Sequence, residues 1–138
     1  GDSADYRDDA SKFLNTLWIT TRDLGLDAAA RRAIARHLEP CPQLALGRWL
    51  ARSGRAGAAI DLSDGLARDL HRLCAASGVG ARLETARLPF ADGFLPLATR
   101  LELAPERLAL GGGEDYVLLF TLPAGVSPPA AFAATEIG

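Results

Sequence analysis

The sequence is short of several things, and each shortage closes off a class of protein. It holds two cysteines, Cys41 and Cys74, with no close spacing between them. Such thiols indicate neither a zinc site nor a disulfide framework, and they read as two small buried residues in a reducing cytoplasm. No apolar run approaches the roughly 18 residues that a spanning helix needs, and the opening residues do not read as a secretory signal. Net charge is also scarce. A formal value of −2, with arginines scattered along the chain, gives no electrostatic reason to expect nucleic acid or an acidic membrane as a partner. Lysine and asparagine occur once each, as Lys12 and Asn15, both inside one N-terminal stretch. No internal repeat or low-complexity segment is evident.

What is present fits a single soluble domain. Of the 138 residues, 49% are hydrophobic, and a chain of this length buries about 68% of its unfolded surface. Ala10, Phe13, Leu14, Leu17 and Trp18 form the stripe of an amphipathic helix over Asp9–Thr20. Leu24-Gly25-Leu26-Asp27 reads as a turn, with Asp27 capping a helix from Ala28 to Leu38. Pro40-Cys41-Pro42 stops that helix, and Pro42 suits the first turn of the next, which runs to about Ser53. A strand is expected at Ala58–Leu62. A helix follows with Leu66, Leu70, Leu73, Cys74 and Ser77 inward, ending at Gly78. Further strands are expected at Val79–Glu84 and Asp115–Leu122, with short helices at Leu95–Leu101, Glu106–Leu110 and Ala130–Ala134. Thr135–Gly138 reads as the beginning of a last strand. Alternating helices and short strands imply a layered α/β (α+β) domain with a mixed sheet covered by helices.

Two stretches carry chemistry. Ile60-Asp61-Leu62-Ser63-Asp64-Gly65-Leu66 places two carboxylates three residues apart at a strand-to-helix turn. Were both to enter one pocket about 6 Å apart, their repulsion would be about 3 kcal/mol at an effective dielectric near 20, and a divalent cation would turn it into attraction. Ser63 and the following helix N-terminus suit a phosphate oxygen. The same residues also suit a plain turn, with Asp64 or Ser63 as helix N-cap. The second stretch, Gly111-Gly112-Gly113-Glu114-Asp115-Tyr116, lets backbone approach a ligand closely. It is neither a Walker loop nor a dinucleotide fingerprint. Glu114 and Asp115 face opposite ways if extended, so that one of them reaches a site at the strand's start, or both form a solvated acidic edge. His37 and His71 read as surface or cap residues, and Arg48, Arg52 and Arg55 as a solvated helical face. No Ser-His-Asp or Cys-His arrangement suggests nucleophilic catalysis.

Together, Asp61-Leu62-Ser63-Asp64-Gly65-Leu66 and Gly112-Gly113-Glu114-Asp115-Tyr116 resemble the C-terminal domain of the thiamine-monophosphate kinase family, a domain of the aminoimidazole ribonucleotide synthetase C-terminal type. The resemblance runs from Leu24 to Gly138 and takes in Pro40-x-Pro42, Leu46-Gly47, Ser77-Gly78-Val79-Gly80 and Leu88-Pro89. It implies an ATP- and Mg²⁺-dependent cytoplasmic phosphotransferase that converts thiamine monophosphate to thiamine diphosphate. By motif match it implies Asp61 and Asp64 as Mg²⁺ ligands, Ser63 as an ATP contact and Glu114 as a substrate contact. It further implies a homodimer with a separate N-terminal nucleotide-binding domain outside these 138 residues. Residues 24–138 then form a kinase C-terminal domain truncated at its end, and residues 1–23 an N-terminal helical segment of separate standing. Gly1-Asp2-Ser3-Ala4 is similar to the start of the family's domain and reads as the interior of a longer protein. Asp5–Thr21 departs from the small-residue helix the family has there. Alternatives are another ATP-using member of the same superfamily, or a non-catalytic binding or dimerisation domain of that fold.

Overall fold

A computed structural model describes residues 28–138, in which five α-helices and two short strands follow one another. The expected Asp9–Thr20 helix, the Asp27 cap and the 1–23 segment lie outside the described residues. Helix α1 (Ala28–Leu38) and helix α2 (Leu44–Ser53) have the bounds that the apolar spacing anticipates. Pro42 does not join the first turn of α2. It precedes the N-cap residue Gln43, and its carbonyl accepts a hydrogen bond from the Leu44 amide at 2.9 Å. The α2 helix ends where Gly54 takes the left-handed conformation, which costs glycine little.

Strand β1 (Ala59–Asp61) pairs antiparallel with strand β2 (Leu118–Phe120), Ile60 standing opposite Leu119. Backbone bonds carry the pairing past both ends. The Gly57 amide donates to Thr121 O at 3.1 Å, and Thr121 N to Ala58 O at 2.9 Å. At the other end Leu62 N donates to Val117 O at 2.9 Å and Tyr116 N to Leu62 O at 2.8 Å. The two expected strands are thus one antiparallel ribbon, half-buried rather than fully buried at β2. Gln43 ties α2 to it, its side-chain oxygen accepting from the Leu118 amide at 2.7 Å.

Helix α3 (Leu66–Ser77) closes at Gly78, which is left-handed and donates to the last carbonyls as a C-cap glycine does. Leu66 is buried and Leu70, Leu73 and Cys74 are half-buried, whereas Ser77 is exposed and not part of the inner face. Val79–Glu84 is not a strand. Val79 is exposed, and a single backbone bond, Glu84 N to Ile137 O at 2.8 Å, joins this segment to the last residues. One bond does not make a ladder, so the pair stays irregular. Helices α4 (Phe94–Arg100) and α5 (Pro105–Gly111) follow, the latter with proline in its first turn. Ala130–Phe132 forms a 3₁₀ turn in place of the expected helix. Cys41 is exposed and Cys74 half-buried, so neither is the fully buried thiol expected.

The core is divided. Ala30 of α1 and Leu97 of α4 form one cluster, flanked by Ala33, Ile34 and Leu101. Among the described residues Leu62, Leu66 and Leu88 form a second, with Leu110, Val117 and Leu119 around them. The second cluster lies directly under the turn that joins β1 to α3. The layered α/β expectation holds, with helices on a sheet that is antiparallel among the described residues.

Candidate functional site

The ribbon does not stop at Leu62. Glu114 N donates to Ser63 O at 2.9 Å, so the last rung joins the two stretches singled out in the sequence. Glycine makes the approach possible. Gly65 has φ +102°, and a Cβ there would stand 3.0–3.2 Å from the Gly111 backbone. Gly113 has φ +62°, and a Cβ there would stand 2.8 Å from the Ser63 carbonyl oxygen. Both positions therefore need glycine for the dihedral and for the space. Glu114 and Tyr116 also take positive φ, 61° and 51°, strain of the kind that concentrates at functional turns.

Asp61 ends β1 with its side chain exposed, and Leu62 anchors the chain in the core below it. The 63–65 turn is then held from beneath. Asp69, wholly buried in α3, accepts from Ser63 N at 3.0 Å and Asp64 N at 2.9 Å through one carboxylate oxygen. Its other oxygen accepts from the Arg72 guanidinium at 2.9 Å. This corrects the N-cap alternative. Gly65 is the N-cap residue, with no side-chain cap, and the turn amides are satisfied by a carboxylate from the next helical turn. Sequence reading missed Asp69 and Arg72. The signal was there: Asp69 lies three residues after Leu66, on the same inward stripe, where an acid must find donors.

Arg72 also pairs with Asp64, so one half-exposed guanidinium bridges both carboxylates. Its hydrogen bond to Asp64 leads in raising the guanidinium above its ordinary pKa. Across the turn, the Tyr116 hydroxyl donates to a Glu114 carboxylate oxygen at 2.9 Å. That bond, then the negative charge of Glu114, burial, and the fields of Asp61 and Asp64 push the phenol pKa up. Three of the four residues expected at the site thus have carboxylates that act on one hydroxyl, and the fourth, Ser63, holds the rung. Among the described residues no three His, Cys, Asp or Glu side chains converge as a ready metal cage.

Behind Glu114 lies a concave cavity of about 650 Å³, walled by α1, α5 and the 89–94 loop. Phe90 and Phe94 stack within its wall, ring centroids 5.6 Å apart, while Arg36, His37 and Asp115 supply polar groups. Asp115 keeps an exposed edge, yet the surrounding walls displace water and raise its carboxyl pKa, with Arg36 and His37 opposing. Glu114 and Asp115 both border this cavity, so they do not part to opposite faces as an extended strand would require. His37, expected as a surface or cap residue, is half-buried and lines this cavity. His71, Arg48, Arg52 and Arg55 are exposed, as expected.

No family model matches the chain. Over 93 residues, 65% of this chain, it is 47% identical to the thiamine-monophosphate kinase of Escherichia coli K12, of which that stretch is 26%. It is 36% identical over 103 residues to the thiamine-monophosphate kinase of Methanopyrus kandleri, covering 75% of this chain and 33% of that protein. Among solved structures, AaThiL complexed with AMPPCP and TMP superposes with a TM-score of 0.79 at 29% identity, over 96% of this chain and 41% of that one. Thiamine monophosphate kinase from Aquifex aeolicus gives a TM-score of 0.73 at 29% identity, over 91% and 40%. The chain spans about a quarter to a third of the length of these curated relatives. The resemblance carried by the two motifs holds, and with it the layered fold.

Proposed function

We propose, from this similarity to thiamine-monophosphate kinases, that the chain is the metal- and substrate-side part of an enzyme that phosphorylates thiamine monophosphate with ATP, giving thiamine diphosphate and ADP. The observation that carries the reading is the last rung of the ribbon, Glu114 N to Ser63 O at 2.9 Å. It holds the Asp61–Asp64 turn beside the Glu114 loop, which supports reading the two stretches as one corner of a site. In the reaction a phosphate oxygen of thiamine monophosphate attacks the terminal phosphorus of ATP, and ADP leaves. Such transfers depend on positioning and on neutralising charge.

Asp61 and Asp64 are assigned as Mg²⁺ ligands. Mg²⁺ is held by one or two carboxylates plus phosphates and waters, so two carboxylates without a third suit it better than they suit a closed protein cage. The ion, when bound, draws charge from the phosphate oxygens of the two substrates. Ser63 is assigned to ATP, its backbone fixed by Asp69 and Glu114 so that the hydroxyl has a set origin. Glu114 is assigned to thiamine monophosphate. A carboxylate repels phosphate, so its contact falls on the cationic, amine-bearing thiamine part. Tyr116 holds that carboxylate in place through its hydroxyl.

The remaining ligands come from a separate nucleotide-binding domain, and the working unit is a homodimer in the cytoplasm. No helix among the described residues is long and apolar enough to cross a membrane. Near-attack geometry built from several parts does not survive the loss of most of them. The 138-residue chain alone is therefore expected to show negligible ADP release with thiamine monophosphate, ATP and Mg²⁺, while the longer protein turns over. Full turnover by the chain alone would contradict the division of the site.

A further inference from the structure

Asp64 has a positively charged partner in the structure. The Arg72 guanidinium is bonded through one nitrogen to Asp64 and to Asp69. Asp69 is fully buried and already satisfied through its other oxygen by the Ser63 and Asp64 amides, so the turn keeps its shape whichever cation Asp64 holds. The Asp64 side chain is 29% exposed and that of Arg72 50%, so the pair sits at the surface, where it can open without uncovering the core.

From this geometry we propose that Arg72 is the resident counter-ion of Asp64, which a divalent cation must displace, so that Arg72 sets the affinity of this ligand for metal. The inference rests on the assignment of Asp64 as a cation ligand. With the cation absent, the guanidinium neutralises Asp64 and keeps it close to the turn. With the cation present, Arg72 keeps its bond to Asp69 and releases Asp64, because two positive charges cannot share one small carboxylate at contact distance without strong repulsion. Both bonds run from the single nitrogen Nη1, so the bridge rests on the positive charge and on the reach of the side chain. Partly exposed ion pairs are weak, so the competition lowers apparent affinity by about fivefold and does not abolish binding.

The test is a titration of the 138-residue chain with Mn²⁺, following paramagnetic broadening of the Ser63, Asp64 and Gly65 amide resonances. Arg72→Gln, which keeps an amide donor for Asp69, is expected to reach half-broadening at about one-fifth of the wild-type Mn²⁺ concentration. Arg72→Lys is expected to fall between the two, and Asp64→Asn to require more Mn²⁺ than wild type. Thermal melts without metal check that the variants are folded at the titration temperature. An Arg72→Gln midpoint equal to or above wild type overturns the proposal, as does a Lys variant that matches Arg72→Gln, because the retained positive charge would then not compete with the metal. If Asp64→Asn leaves the midpoint unchanged, it is the assignment of Asp64 as a ligand that fails, a result separate from the other two.

Discussion

Removing the Asp69 carboxylate leaves the Ser63 and Asp64 amides without their acceptor and Arg72 without one of its two partners. A buried network broken at one member costs more than the loss of a surface contact. Asp69→Ala is therefore expected to destabilise the chain by roughly 3 kcal/mol in urea unfolding. A change below about 0.5 kcal/mol would mean that the turn is held by something else. Asp115 gives a pH signature of opposite origin. Burial raises its folded pKa, so its contribution to stability is greatest below the ordinary carboxylate pKa and is lost as pH rises through the folded value. At pH 7 the ionised carboxylate, exposed on one side and shielded by the cavity wall on the other, is a modest cost. Asp115→Asn is expected to raise Tm at pH 7, with the gain fading below about pH 4. A lowered Tm at pH 7 would show that attraction to Arg36 and His37 outweighs burial. At this scale the sequence was only partly legible. Asp61, Ser63, Asp64 and Glu114 stood out because acids and glycines cluster there. Asp69 did not, because it sits in an apolar stripe and its importance depends on which amides lie above it.

Among the elements, helices were the easier to read. The bounds of α1, α2 and α3 follow from apolar spacing and from stops at Pro40, Gly54 and Gly78, all local in the chain. Strands depend on a partner elsewhere. Gly57–Leu62 and Tyr116–Thr121 find each other over more than fifty residues and share a ladder, whereas Val79–Glu84 has strand-like composition but gets one bond from Ile137. Composition cannot distinguish those two outcomes. Nor did the triple glycine reveal which member mattered. A Cβ at Gly112 would stand 2.5 Å from the Leu108 carbonyl oxygen and one at Gly113 2.8 Å from that of Ser63, and at Gly113 the positive φ adds to the demand. Gly113→Ala is expected to cost about 2 kcal/mol or more and to break the rung between Glu114 and Ser63. Hydrogen exchange at the Glu114 amide reads this directly. Unchanged protection would show that the loop accommodates a side chain and that the close approach is incidental.

For the whole molecule, the division of the core explains how the site is built. Leu62, Leu66 and Leu88 support the Asp61–Asp64 turn, while Ala30 and Leu97 hold α1 against α4 beside the cavity. The corner where the ribbon ends lies over the Leu62–Leu66–Leu88 cluster, and the cavity that Glu114 borders is backed by the Ala30–Leu97 cluster. Such a corner offers the carboxylates of Asp61, Asp64 and Glu114 beside a serine, and under the proposed function it serves as one side of a phosphoryl-transfer site, with the nucleotide held from elsewhere. The family to which the chain is similar is legible from two short motifs because those motifs meet in space. The most direct test is thiamine diphosphate formation by the longer protein carrying Asp61→Asn with Asp64→Asn, or Glu114→Gln. The paired aspartate change is expected to lower kcat by about a hundredfold or more, consistent with lost charge stabilisation in the transition state. The glutamate change is expected to act mainly on KM for thiamine monophosphate. Wild-type kinetics in both variants, with folding intact, would contradict the assignment of this corner as the metal and substrate side of the site.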